Sequence, residues 1–85
     1  MAWAIEFHRH ARRELAGLPS ADRRRVALAM EKLADNPRLS PNARALGGEE
    51  GYRLRVGDYR VLYFLEEERV VVAVVRIAHR KEVYR

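Results

Sequence analysis

The stretch Tyr52-Arg53-Leu54-Arg55-Val56-Gly57-Asp58-Tyr59-Arg60-Val61-Leu62-Tyr63 alternates in polarity on both sides of a Gly-Asp pair. That pattern predicts a β-hairpin. Successive strand residues point to opposite faces, so Tyr52, Leu54 and Val56 share one face, and Arg53 and Arg55 share the other. Gly57 takes a positive φ at no steric cost, as a two-residue turn requires. With such a turn Val56 pairs with Tyr59, and Arg55 lies opposite Arg60. Like charges placed opposite one another weaken a strand pair, so folding alone gives no reason to stack guanidiniums here. An anionic ligand would supply one. The alternative is an outer face whose arginines splay into water.

Around this hairpin the pattern is read as follows. Ala2 to Phe7 reads as a strand with Trp3, Ile5 and Phe7 on one face. A helix over His8–Leu18 places Ala11, Leu15 and Leu18 at helical spacing. Pro19-Ser20 breaks it, and Ser20 is the expected N-cap of a second helix. That helix carries Val26, Met30 and Leu33 on its buried face, with Ala27, Ala29 and Ala34 closing contacts, and it ends at Asn36-Pro37. Residues 37–51 read as loop with a short extended piece around Ala43 to Leu46. The hairpin strands are Tyr52–Val56 and Tyr59–Leu65, followed by a charged turn at Glu66-Glu67-Glu68. The last strand, Val70–Ile77, is β-branched and apolar on both faces, the pattern of a central strand covered on both sides. Arg76 is out of place there, and is expected to reach the arginine face or to pair with a glutamate. The tail from Ala78 to Arg85 is expected to coil for a turn or two. The order strand, helix, helix and three strands gives a single α+β domain over residues 1–85. It has two layers, an antiparallel helical hairpin packed on a mainly antiparallel four-stranded sheet. The sheet face that carries Arg53, Arg55 and Arg60 is left to the tail and to solvent.

Composition narrows the chemistry. The chain has no cysteine, which removes disulfides, thiolate nucleophiles and cysteine metal sites. Its longest uncharged apolar run, Val70 to Val75, is too short to span a bilayer, and no signal-peptide pattern opens the sequence. A cytoplasmic protein with no membrane contact is expected. His8 and His10 cannot share a helical face and have no third ligand in view, so no metal is expected. The net charge of +5 rests on arginine far more than lysine, and the planar guanidinium fork suits phosphate better than a point charge does.

In the tail, helical coiling puts Arg80 and Tyr84 four apart on one face. Joined to the hairpin, this predicts a cluster of Arg53, Arg55, Arg60, Arg80 and Tyr84, with His79 as a candidate acid or base. Such a set can clamp a phosphodiester while a tyrosine or histidine moves protons. The tyrosine can instead stack on a nucleobase.

The hairpin Gly51–Tyr63, followed by His79-Arg80-Lys81-Glu82-Val83-Tyr84, closely resembles the RelE/ParE superfamily of bacterial toxins, on its RelE side. The resemblance covers almost the whole chain. It implies the toxin of a type II toxin–antitoxin system, a ribosome-dependent endoribonuclease without metal or cofactor that cuts messenger RNA in the ribosomal decoding site. The ribose 2′-hydroxyl attacks the adjacent phosphate, leaving a cyclic phosphate and a free 5′-hydroxyl, and a cognate antitoxin neutralises the enzyme. Arg53 and Arg55 match two basic strand positions, Arg60 the hairpin arginine, Arg80 the arginine of the last loop and Tyr84 the terminal tyrosine. The implied roles are stabilisation of the phosphorane by the arginines and stacking or proton transfer by Tyr84. The best-known members carry lysines at the positions of Arg53 and Arg55, where lysine is a candidate base. Arginine cannot readily give up its proton. That leaves His79, Tyr84 or Glu50, or positioning and electrostatics with no dedicated base. The same fold also carries ParE-like toxins, non-enzymatic binders of DNA gyrase that generally lack the full arginine and tyrosine set. A member that binds RNA or ribosome without cutting is the third alternative.

Overall fold

The hairpin adopts the expected register: Val56 pairs with Tyr59, and Arg55 with Arg60. Gly57 takes φ +58°, and a Cβ added there would lie 3.1 Å from an Arg25 guanidinium nitrogen. Glycine thus serves both the turn and the close approach of the neighbouring helix. The computed structural model describes residues 2–38, 40–46 and 51–83. Its elements are β1 (Ala4–Phe7), α1 (Arg9–Ala16), α2 (Ser20–Asp35), β2 (Ala43–Ala45), β3 (Gly51–Val56), β4 (Tyr59–Glu66), β5 (Val71–His79) and a short α3 (Arg80–Val83).

The sheet has five strands rather than four, in the order β1-β5-β4-β3-β2. The added strand is the Ala43–Ala45 piece, which pairs antiparallel with β3. Its Ala-Arg-Ala sequence carries no β-branched or aromatic residue, so its strand character comes from the β3 edge beside it. β1 runs parallel to β5, Ala4 opposite Val71 and Phe7 opposite Val74, which places β5 inside the sheet. That position accounts for its apolar run from Val71 to Val75.

One sheet face is the core. Leu54, Val56, Val61, Tyr63, Val72, Val74 and Ile77 meet Ala11 of α1 and Val26, Met30 and Leu33 of α2, with Trp3, Ile5, Leu15 and Tyr52 packed around them. Ala27, expected to close a contact, is exposed instead. α2 starts one residue before its expected first turn. Pro19 is the N-cap, Ser20 already lies inside the helix, and neither makes a side-chain capping bond. The extended ψ of 147° at Pro19 lets its carbonyl accept the first helical bond, from Arg23 N–H at 2.9 Å. Arg76 pairs with Glu14 of α1, whose carboxylate also accepts the Ile77 N–H at 2.7 Å. Among the described residues no helix is long and apolar enough to cross a membrane.

Tyr63 gives the core a measurable pH signature. It is fully buried, stacks on Tyr52 at 5.3 Å, and donates its hydroxyl to the Pro37 carbonyl at 2.8 Å. Burial, with a smaller contribution from Tyr52, pushes its phenol well above the ordinary tyrosine range. A folded-state pKa raised in this way adds stability that is complete below the unfolded value of about 10 and is lost as pH rises beyond it. Unfolding free energy is therefore expected to fall above about pH 10, at up to about 1.4 kcal/mol per pH unit from this residue. Tyr63→Phe should lower stability at pH 7 by about 1 kcal/mol and flatten that alkaline decline. Urea melts across pH 7–11 test this, and an unchanged alkaline slope in the variant would refute it.

Candidate functional site

The face of the sheet away from the helices is laid out in rungs by strand pairing. Arg44 of β2 lies opposite Arg53 of β3, which lies opposite Leu62 of β4. Two residues further along β3, Arg55 lies opposite Arg60, and its backbone N–H reaches the Asn42 carbonyl at 2.9 Å. These two rungs frame a cleft of about 110 Å³ lined by Pro41, Asn42, Arg44, Arg53, Arg55 and Arg60. Among the described residues, no carboxylate lines it. Two like-charge pairs, Arg44 with Arg53 and Arg55 with Arg60, thus stand side by side where sheet stability alone would avoid them.

The four arginines are held to different degrees. Arg60 is only 8% exposed, and its Nη1 donates to the carbonyls of Gly57 (3.1 Å) and Tyr59 (2.9 Å). The turn therefore fixes the plane of its guanidinium. Arg55 is exposed and reaches Asn42 Oδ1 at 3.5 Å, a long and weak bond. Arg53 is half-buried and Arg44 exposed.

Arg80 and His79 are placed outside the cleft. Arg80 lies outside the cleft lining, tied to the hairpin turn by its N–H to the Asp58 carbonyl at 2.7 Å and its Nε 3.7 Å from Asp58 Oδ1. His79 pairs across strands with Tyr59, meets that ring edge-on at 5.6 Å, and accepts the Lys81 N–H on Nδ1 at 3.3 Å. This turns it toward the helical side, away from the arginines. Tyr59 in turn donates to Asp22 of α2 at 3.4 Å, and burial, with Asp22 beside it, holds its phenol above the usual value. Tyr84 and Glu50 lie outside the described residues.

His8, which by sequence had no third partner, gathers with Glu6 and Glu66, their ligand atoms within 4.8 Å of one another. Both carboxylates are bonded to Arg69, at 3.3 Å to Glu6 and 2.8 Å to Glu66. These bonds, those to Glu66 first, raise the pKa of Arg69 further above its ordinary value.

A cleft lined by four guanidiniums can do one thing well. It can hold a phosphodiester and stabilise negative charge that grows on it, with donors fixed in advance by the sheet.

The model of the family described as the ParE toxin of type II toxin–antitoxin systems matches residues 5–84 of the chain. The chain belongs to the RelE/ParE superfamily of type II toxins. Toxin RelG of Mycobacterium tuberculosis is 33% identical to this family member over 88 aligned positions, which span 100% of the chain and 99% of RelG. The mRNA interferase toxin RelE of Escherichia coli K12 is 31% identical, with 99% of this chain and 92% of that protein covered. Among solved structures, the toxin–antitoxin complex RelBE2 of M. tuberculosis matches with a TM-score of 0.81 at 29% identity, covering 94% of this chain and all of the matched one.

For this superfamily member, sequence reasoning missed Arg44 and Asn42. Both lie in a glycine- and proline-rich segment where alternation is too short to reveal which way a side chain points. The one available signal is the short extended piece around Ala43 to Leu46.

Proposed function

We propose that the chain is a messenger RNA endoribonuclease that acts on the ribosome and is neutralised by a cognate antitoxin. The observation that carries this reading is the cleft in which Arg44, Arg53, Arg55 and Arg60 of neighbouring strands meet. Relatives named mRNA interferase support the substrate, and the matched toxin–antitoxin complex supports the partner. In the proposed step the 2′-hydroxyl oxygen bonds to the adjacent phosphorus as the bond from phosphorus to the 5′-oxygen breaks. One proton leaves the 2′-hydroxyl and one reaches the departing 5′-oxygen. The cleft arginines neutralise the dianionic phosphorane between these events. Arg80, held by Asp58 at the same turn, is assigned to charge stabilisation with the other arginines, and Tyr84 to base stacking. His79 is not given the role of base, because its ring faces Tyr59 and the Lys81 N–H.

The test is incubation of the purified chain with ribosomes programmed with mRNA, beside a DNA gyrase supercoiling assay. The proposal expects cleavage to a 2′,3′-cyclic phosphate and a 5′-hydroxyl, blocked by one 2′-deoxyribose at the cut site, with gyrase unaffected. Inhibition of supercoiling without cleavage would favour the gyrase-directed reading, which the ParE description of the matching family supports.

A further inference from the structure

Beside the two arginine rungs lies a third rung of different chemistry. Leu46 donates its N–H to the Gly51 carbonyl at 2.9 Å, Gly51 pairs with Phe64, and Phe64 pairs with Ala73. A Cβ at Gly51 would lie 3.1 Å from the Phe64 ring and 3.2 Å from a Leu46 methyl. The bare glycine thus makes room for the aromatic ring to lean across β3 toward Leu46. Phe64 remains 37% exposed, on the same face as Arg53, Arg55 and Arg60. At about 3.3–3.4 Å per residue, this rung is about 7 Å from Arg44 and Arg53, and about twice that from Arg55 and Arg60.

We infer that Phe64 is a stacking platform for a base of single-stranded RNA whose phosphates occupy the arginine rungs. The inference rests on the ribonuclease reading and adds a positioning residue to it. A flat aromatic face set among guanidiniums on an open sheet suits a single strand, since every nucleotide offers both a π-face and an anion. The guanidiniums beside Phe64 favour RNA, whose phosphates are anions, over an apolar protein segment, which brings none. With the scissile phosphate at Arg55 and Arg60, the stacked base belongs to a neighbouring nucleotide along the strand rather than to the cleaved one. Phe64 therefore sets where the strand is held, while the arginines set where it is cut.

The probe is a short single-stranded RNA carrying a 2′-deoxyribose at the cut position and one 2-aminopurine base, bound by the full-length chain. Wild type should quench the 2-aminopurine on binding. Phe64→Leu, which keeps apolar cover over Gly51, should lose the quench and bind about tenfold more weakly, while Phe64→Trp should keep both. Because stacking is uncharged, the salt dependence of Phe64→Leu should match wild type, whereas Arg53→Ala should lose about 0.7 from the log–log slope. Melting temperatures of the variants confirm that they are folded. If Phe64→Leu binds and quenches as wild type while Arg53→Ala binds weakly, the platform is refuted and the ribonuclease reading stands. If neither variant changes RNA binding, both fall. If Phe64→Leu spares RNA binding but releases a co-purifying protein, the patch is a protein contact and the inference is overturned.

Discussion

Replacing Arg60 with alanine is expected to lower the single-turnover rate of mRNA cleavage on the ribosome about 10²-fold or more, with a smaller loss of ribosome affinity. The size of the effect follows from pre-organisation. Arg60 is nearly buried and its Nη1 is anchored to the Gly57 and Tyr59 carbonyls, so the guanidinium does not have to be ordered when charge develops on the phosphate. Losing one such fixed donor from an oxyanion site costs about 10²–10³ in rate. Affinity is expected to fall less because Arg44, Arg53 and Arg55 also line the cleft and remain available to phosphate in the ground state. Arg60→Lys should recover part of the rate, as a point charge without the planar fork. The same anchoring bonds also brace the turn, so the alanine variant must be assayed at a temperature where circular dichroism shows it folded. A folded Arg60→Ala chain that cuts at the wild-type rate would remove Arg60 from the mechanism.

The second large effect concerns stability. Met30 and Leu33 are 1% and 2% exposed, and both sit in the core cluster against the sheet. Truncating either to alanine removes buried methylenes and leaves a cavity, at a cost of about 2–5 kcal/mol. A chain of 85 residues has a total stability of about 4–13 kcal/mol. Leu33→Ala is therefore expected to shift the urea midpoint strongly and to leave a fraction of the chain unfolded at the low end of that range. Unchanged midpoints in both variants would mean that α2 does not pack where the structure places it.

The parts legible in the sequence were those governed by short-range rules. The two-residue turn at Gly57-Asp58 determines the register of β3 and β4, and strand parity then assigns Arg53, Arg55 and Arg60 to one face. The valines of β5 announced an interior strand, and the spacing of Val26, Met30 and Leu33 announced the buried face of α2. What escaped depended on tertiary partners. The extension around Ala43 to Leu46 is legible locally, but its pairing with β3 as a fifth strand, and with it the face on which Arg44 lies, is not. His79 was grouped with the arginines by its place in the tail, yet pairing with Tyr59 turns it the other way. Arg76 was open between two partners until α1 brought Glu14 beside it.

On the proposed function, cleavage depends on the arginines of this one cleft rather than on the basic character of the chain as a whole. The most direct measurement compares two double variants of equal net charge in single-turnover cleavage of ribosome-bound mRNA at saturating protein. One is Arg53→Ala with Arg55→Ala in the cleft, and the other is Arg13→Ala with Arg24→Ala on the exposed surface of the helices. The cleft variant is expected to lose at least about 10²-fold in rate and the helix variant to stay within a few-fold of wild type. Equal losses in both, or none in the cleft variant, would contradict it.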